Sequence, residues 1–452
     1  MALIEMNNQD KSKWHLSEYN IFSSKSYDNK IPCVNLLKGT YSELDPDDLL
    51  KLYELERLNI KEEDLKDFIN QGIVVNFDEK EYVKSSLLIN YNRTNTLYVI
   101  IAPSLVCNFN CPYCFESHVD KNVMSLETQD KVIEFLKNLI SFSWKKQIEV
   151  TWYGGEPLLH PEIIEYISNP VISFCQSRGI NYTGAILTNG YYFNQKNVDL
   201  LNRCNVNKAQ ITIDGLEKNH DLTRHLFDGS GSFKKIINNL NSVKFNGVIS
   251  VRNDIHSNNK DDIEELKKII QQVAKNSGNV INYYTAPIID VPAEKQENQV
   301  DFLNIKDTIE FEFKRRNEKI PPFKTTYCSA PSLYFFGIGS RGELYKCWED
   351  FGVKERSYGN IEKWDIRFPL QTADNPNILM KYINSAGALD QECYDCVWLP
   401  ICGGGCPSKR FFCDMKCLPY VPYRYNIDYY IDLIREKYSH LEKLGCECCN
   451  NV

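Results

Sequence analysis

From Thr96 to about Pro287 the chain repeats one unit: a short apolar run rich in β-branched residues, then an amphipathic stretch of helical period. The runs are "TLYVIIAP", "QIEVTWY", "TGAILTNG", "AQITIDG", "GVISVRNDI" and "VINYYTAP", and each but the last is followed by a helical segment. Strands joined in this way argue for parallel neighbours, which need such a helical crossover rather than a tight turn. The repeat therefore predicts an α/β fold, a parallel sheet clothed by helices. Six repeats suggest a barrel, complete or partial, with its chemistry at the C-terminal ends of the strands. "CNFNCPYCFE", "GGEP", "TNG" and "DG" all fall just after strands, so one pocket can gather them.

The first of these loops holds Cys107, Cys111 and Cys114 at spacing C-x3-C-x2-C, in a chain of 452 residues with 17 cysteines. The opening "MALIEMNNQDKSKWH" has no apolar leader region, and no run of ~18 apolar residues suggests a membrane span. The expectation is a cytoplasmic protein, where clustered cysteines bind metal more often than they form disulfides. A net charge of −8 gives no broad basic surface, which argues against duplex nucleic acid as a partner. Three thiolates in eight residues fit three corners of a [4Fe–4S] cluster, leaving one iron open. A zinc site completed by His118 is the alternative.

The cysteine loop after the first strand, with aromatic Tyr113 before the third cysteine, resembles that of the radical S-adenosylmethionine (SAM) enzymes. "WYGGEP" at 152–157 resembles that family's glycine–glycine–glutamate motif. The resemblance covers residues 96–320 and implies a partial (β/α)6 TIM-like barrel. It implies that Cys107, Cys111 and Cys114 hold the cluster and that SAM chelates the open iron. Gly154 and Gly155 would let backbone approach the methionine part, and Glu156 would position that loop. Thr188 and Asn189 would reach ribose or carboxylate; a plain "TNG" turn is the alternative. Arg224, or else Arg252, would bind the SAM carboxylate with its fork of donors.

Beyond about Pro321 the alternation fades, and Cys328, Cys347, Cys393, Cys396, Cys402, Cys406, Cys413 and Cys417 follow. Their spacing resembles the SPASM extension of radical SAM enzymes, assigned here to 321–452, which holds two auxiliary [4Fe–4S] clusters; zinc ribbons are the alternative. By resemblance Cys328, Cys347 and Cys406 serve the first. Cys393, Cys396 and Cys402 serve the second, with Cys417 or Cys413. "PPFKTTY" before Cys328 lacks the further cysteine that many relatives carry, so the first auxiliary cluster would keep an open iron for a substrate thiolate unless Cys413 or the tail supplies a ligand. The tail adds Cys446, Cys448 and Cys449 without an assigned role.

Residues 1–95 show β-like runs around a charged helical stretch that Asp45 would start and Gly72 stop, with Cys33 read as buried and inert. The arrangement resembles the peptide-recognition domain of enzymes that mature ribosomally made peptides, which captures a leader as an added strand; a structural collar is the alternative. The resemblance implies oxidative modification of a precursor peptide by a 5′-deoxyadenosyl radical, with electrons from a donor such as flavodoxin or ferredoxin. The expected product is a cysteine thioether crosslink. Formylglycine formation on a sulfatase, carbon–carbon crosslinking and epimerisation remain open, as does a non-catalytic iron–sulfur carrier or scaffold. Sulfatase-maturating enzymes carry an aspartate base directly after the cysteine matching Cys347. Trp348 stands there instead, with Glu349 and Asp350 next as candidate bases.

Overall fold

A computed structural model describes residues 14–55, 60–114, 116, 120–288, 328–385 and 391–412, with 428, 429, 431, 432 and 434–436. The chain opens with β1 (His15–Leu16), β2 (Asn20–Phe22), β3 (Ile31–Asn35), β4 (Thr40–Leu44) and β5 (Val74–Val75). β2, β3 and β4 form an antiparallel sheet, and β1 pairs with β5. The stretch expected to run helically from Asp45 to Gly72 is two helices, Pro46–Tyr53 and Glu62–Gln71. Asp45 caps the first by accepting from the amides of Asp47 and Asp48, and Gly72 ends the second at φ 74°. A third helix, Glu79–Asn92, leads into the first parallel strand. Cys33 is buried, and burial pushes its thiol up to about 12.

The six expected strands are β6 (Thr96–Ile101), β7 (Gln147–Trp152), β8 (Asn181–Thr188), β9 (Val206–Thr212), β10 (Val248–Ile255) and β11 (Val280–Pro287). They lie side by side in chain order, each parallel to the next. Helices Leu126–Phe142, Pro161–Ser177, Gln195–Arg203, Phe233–Ser242 and Ile263–Ser277 make the crossovers. The helices bury Leu136, Ile164, Leu201, Ile236 and Ile270 against Ile148, Ile186, Ile211 and Ile249 of the strands. Each such side chain contributes ~1.5–3 kcal/mol.

The sheet stays open: β6 pairs not with β11 but with β12 (Phe335–Ile338), also parallel. β13 (Glu343–Tyr345) and β14 (Gly359–Asn360) then continue it antiparallel. The sheet thus crosses the boundary expected at 320/321, and the segment carrying Cys347 is built onto the edge of β6.

The N-terminal residues pack against the far cysteine segment. Tyr19, Val34, Leu36, Val83, Leu87 and Tyr91 share one buried cluster with Trp398, Leu399, Ile401, Ile431 and Ile434. Lys80 pairs with Asp395 at 2.9 Å, and the Tyr394 hydroxyl donates to Glu81 at 2.7 Å. Among the described residues, no helix is long and apolar enough to cross a membrane.

Candidate active site at the strand ends

The loop after β6 is pinned at both sides. The Phe109 side chain is buried in the core, and its backbone bridges to Leu226, while the Asn110 amide donates to the His225 carbonyl at 2.9 Å. This fixes Cys107, Cys111 and Cys114 as one partly buried group whose thiols lie within electrostatic reach of one another. No described cysteine is in a disulfide. Burial, then the neighbouring Glu156 carboxylate, pushes the Cys107 thiol up to about 12. A bound cation favours the thiolate form of a thiol placed so.

The "GGE" turn after β7 lies directly on this loop. Gly154 has φ 116°, and a Cβ there would stand 2.2 Å from the Ser104 carbonyl oxygen. A Cβ on Gly155 would stand 2.3 Å from that of Val106. The amides of Gly155 and Glu156 donate to those carbonyls at 3.1 and 2.9 Å. Besides any ligand, then, the glycines admit the backbone of the cysteine loop itself.

Glu156 is no surface acid; it is 1% exposed. It accepts from the Leu158 amide at 2.9 Å, the Thr188 hydroxyl at 2.8 Å and the Asn189 amide at 2.8 Å. Burial pushes its carboxyl up to about 7 against the pull of these bonds. Asn189 in turn donates through Nδ2 to Asn108 Oδ1 at 2.8 Å and to Cys107 Sγ at 3.8 Å. Thr188 and Asn189, expected to reach ribose or carboxylate, are thus engaged with Glu156, Asn108 and their own turn. They lock the loops after β6, β7 and β8 into one unit.

Arg224 arrives from the loop after β9. Its Nη1 donates to the Tyr113 hydroxyl at 2.8 Å, and its guanidinium lies 5.9 Å from the Phe109 ring centre. The Tyr113 hydroxyl also donates to buried Asp214, which accepts from Thr223 at 2.9 Å. Arg252 instead pairs with Asp254 at 2.6 Å. Asp214, in the quoted "DG" turn, had no assigned role in the sequence reading.

Among the described residues, Arg224 Nε, Asp214 Oδ1, Asn108 Nδ2 and Glu116 Oε1 are buried without a hydrogen-bond partner. Buried orphans of this kind call for a missing partner. A guanidinium donor suits a carboxylate, and a carboxylate acceptor suits an ammonium or hydroxyl group. That donor set, beside three thiols, fits an iron–sulfur cluster and the amino-acid and ribose groups of SAM.

The C-terminal cysteines of the described residues lie in two places. Cys347 lies within electrostatic reach of Cys328, and Cys328 of Cys406. Cys393, Cys396 and Cys402 pack against the N-terminal cluster, and Arg410 Nη2 approaches Cys393 Sγ at 2.6 Å. Cys413, Cys417, the tail cysteines and His118 lie outside the described residues. Among the described residues, no three His, Cys, Asp or Glu side chains converge on a site for a single metal ion.

Of the two acids read as candidate bases, Glu349 pairs with Lys409 at 3.3 Å. Asp350, the other, is fully buried. It accepts from Tyr382, from Arg356 at 3.3 Å and from Ser408 at 3.3 Å, and burial pushes it up to about 6. Trp348 packs edge-on against Tyr153 with ring centres 4.9 Å apart. The Tyr153 hydroxyl bonds to Glu116, whose carboxyl burial pushes up to about 8. Neither Tyr153 nor Glu116 stood out in the sequence, although both lie within quoted motifs.

Residues 101–277 match the family model of the radical SAM superfamily. Together with the cysteine loop and the open parallel sheet, this match gives the chain a radical SAM domain over those residues, of a family that works with a [4Fe–4S] cluster and SAM. Among curated proteins it is similar to the serine-type anaerobic sulfatase-maturating enzyme of Bacteroides thetaiotaomicron. The two are 25% identical over 75% of this chain and 92% of that one. The cysteine-type enzyme of Clostridium novyi is 24% identical over 70% and 89%. Among solved structures, native anSMEcpe with bound AdoMet shares the fold with a TM-score of 0.54 at 18% identity, covering 75% of this chain and 99% of that one.

Proposed function

We propose that this enzyme modifies a ribosomally made precursor peptide and forms a cysteine thioether crosslink. Cys107, Cys111 and Cys114 hold the cluster that binds SAM, and Arg224 with Asp214 receives the polar groups of SAM. When bound, the two supply a 5′-deoxyadenosyl radical that takes hydrogen from a substrate carbon. Two auxiliary clusters belong to the C-terminal segment, one on Cys328, Cys347 and Cys406, the other on Cys393, Cys396, Cys402 and Cys417 or Cys413. Three protein thiolates at the first leave a position for a substrate cysteine, which soft iron favours. Residues 1–95 hold the leader, and a flavodoxin or ferredoxin delivers electrons.

The observation that carries this reading is the residue after Cys347. It is Trp348, wedged against Tyr153, where sulfatase maturation calls for a carboxylate. About a quarter of this chain also falls outside the alignment with the sulfatase-maturating structure, although that alignment covers 99% of the other chain. Formylglycine formation is the second reading, favoured by the two curated relatives. The test is anaerobic incubation of the reconstituted enzyme with short cysteine-containing peptides encoded beside its gene. A product lighter by two hydrogens, with its cysteine resistant to alkylation, supports the thioether reading. An aldehyde formed on a sulfatase peptide replaces it with the second.

A further inference from the structure

Glu116 stands two residues beyond Cys114 and is only 5% exposed. One side of its carboxyl bonds the Tyr153 hydroxyl, while Oε1 has no partner among the described residues. Tyr153 lies within electrostatic reach of both Cys114 and Cys347, and its ring packs on Trp348. The pair therefore stands between the cysteine loop and the first C-terminal cysteine group. A substrate reached from the first group and held at the second would lie near this pair. The other acids of this region are committed, Glu349 to Lys409 and Asp350 to Tyr382, Arg356 and Ser408. A buried carboxyl oxygen left unpartnered is destabilising, and a bound partner recovers that loss.

We propose that Glu116, oriented by Tyr153, hydrogen-bonds the backbone peptide group of the residue being modified. A backbone contact suits this place. Every peptide residue carries N–H and C=O groups beside its Cα, so the contact positions the reacting carbon whatever the side chain. The surrounding Tyr153, Trp348 and Phe351 rings form an apolar wall that strengthens such a bond by excluding water. Tyr153 acts through Glu116 and is a positioning residue. The inference rests on the peptide-maturase reading for its occupant.

The test titrates two blocked tripeptides, acetyl-Ala-Cys-Ala-amide and acetyl-Ala-Ala-Ala-amide, into the SAM-loaded, fully clustered enzyme without reductant. Wild type is compared with Glu116→Gln and Tyr153→Phe. The expected result is binding of both probes to wild type, about tenfold weaker to Glu116→Gln and severalfold weaker to Tyr153→Phe, with iron content and SAM affinity unchanged. Equal affinity in all three proteins overturns the inference, as does absence of binding to wild type. Loss of iron or SAM affinity in Tyr153→Phe also overturns it, by making the pair a prop of the cysteine loop. Because no turnover is measured, an enzyme that binds the probes but matures no peptide sinks the functional reading and leaves this one standing.

Discussion

Glu156 and Thr188 meet at 2.8 Å in a space closed to water, the carboxylate of one loop accepting the hydroxyl of the next. Through Asn189 the same carboxylate reaches Cys107, so an acid that touches no described cysteine sulfur sets where the first thiol stands. Glu156→Gln keeps the shape but turns one acceptor into a donor facing another donor. It should weaken SAM binding about tenfold, the effect of ~1.4 kcal/mol, with the iron still present. Equilibrium binding of SAM to the reconstituted variant checks this.

Gly154→Ala drives a Cβ to 2.2 Å from the Ser104 carbonyl oxygen, at a backbone angle few side chains adopt. We expect a cost of ~3 kcal/mol or more and loss of iron from the N-terminal cysteine loop. Gly179→Ala is the control: its φ is also positive, at 63°, but nothing lies within 4 Å of the added carbon. It should cost ~1 kcal/mol and keep its iron. Denaturant unfolding and iron analysis of both variants separate the two effects.

Much of this site is written in consecutive residues. The cysteine spacing, the glycines and the six strand–helix repeats each depend on local pattern, and each appears where the pattern puts it. What escaped the sequence depends on partners far along the chain. Glu116 and Tyr153 are 37 positions apart, and Arg224 reaches Tyr113 across 111. No periodicity announces such pairs. The continuation of the sheet by β12 was also hidden, because "LYFFGI" reads equally as an isolated hairpin strand. The apolar face of the Glu79–Asn92 helix was illegible for a similar reason: part of its partner set lies some 300 residues downstream.

That face makes residues 1–95 more than an appended module. Leu87 is buried among Tyr19, Val83, Trp398 and Ile401 in the cluster against which Cys393, Cys396 and Cys402 pack. Leu87→Asp should therefore destabilise the C-terminal cysteine segment by ~3 kcal/mol or more and lower its iron, although the change lies far away in sequence. A segment serving only to hold a leader would leave the iron intact.

The buried carboxyl of Asp350 sets a pH dependence. Its folded value, about 6, lies above its ordinary value of 3.8. The folded state thus holds this proton more tightly, and the associated stability is full below about pH 4 and lost as pH rises through 6. The stability of wild type relative to Asp350→Asn should fall by up to ~3 kcal/mol between pH 4 and 7. Denaturant melts of both proteins across that range measure it.

The central claim is that Cys107, Cys111 and Cys114 hold a cluster whose remaining iron takes SAM. The direct measurement is anaerobic incubation of the reconstituted chain with SAM and dithionite, followed by quantitation of 5′-deoxyadenosine. The account predicts formation of 5′-deoxyadenosine by wild type. It predicts none from the variant with all three cysteines changed to alanine, which should keep about two thirds of the iron on the C-terminal cysteines. No 5′-deoxyadenosine from an iron-replete wild type, or equal amounts from the variant, would contradict it.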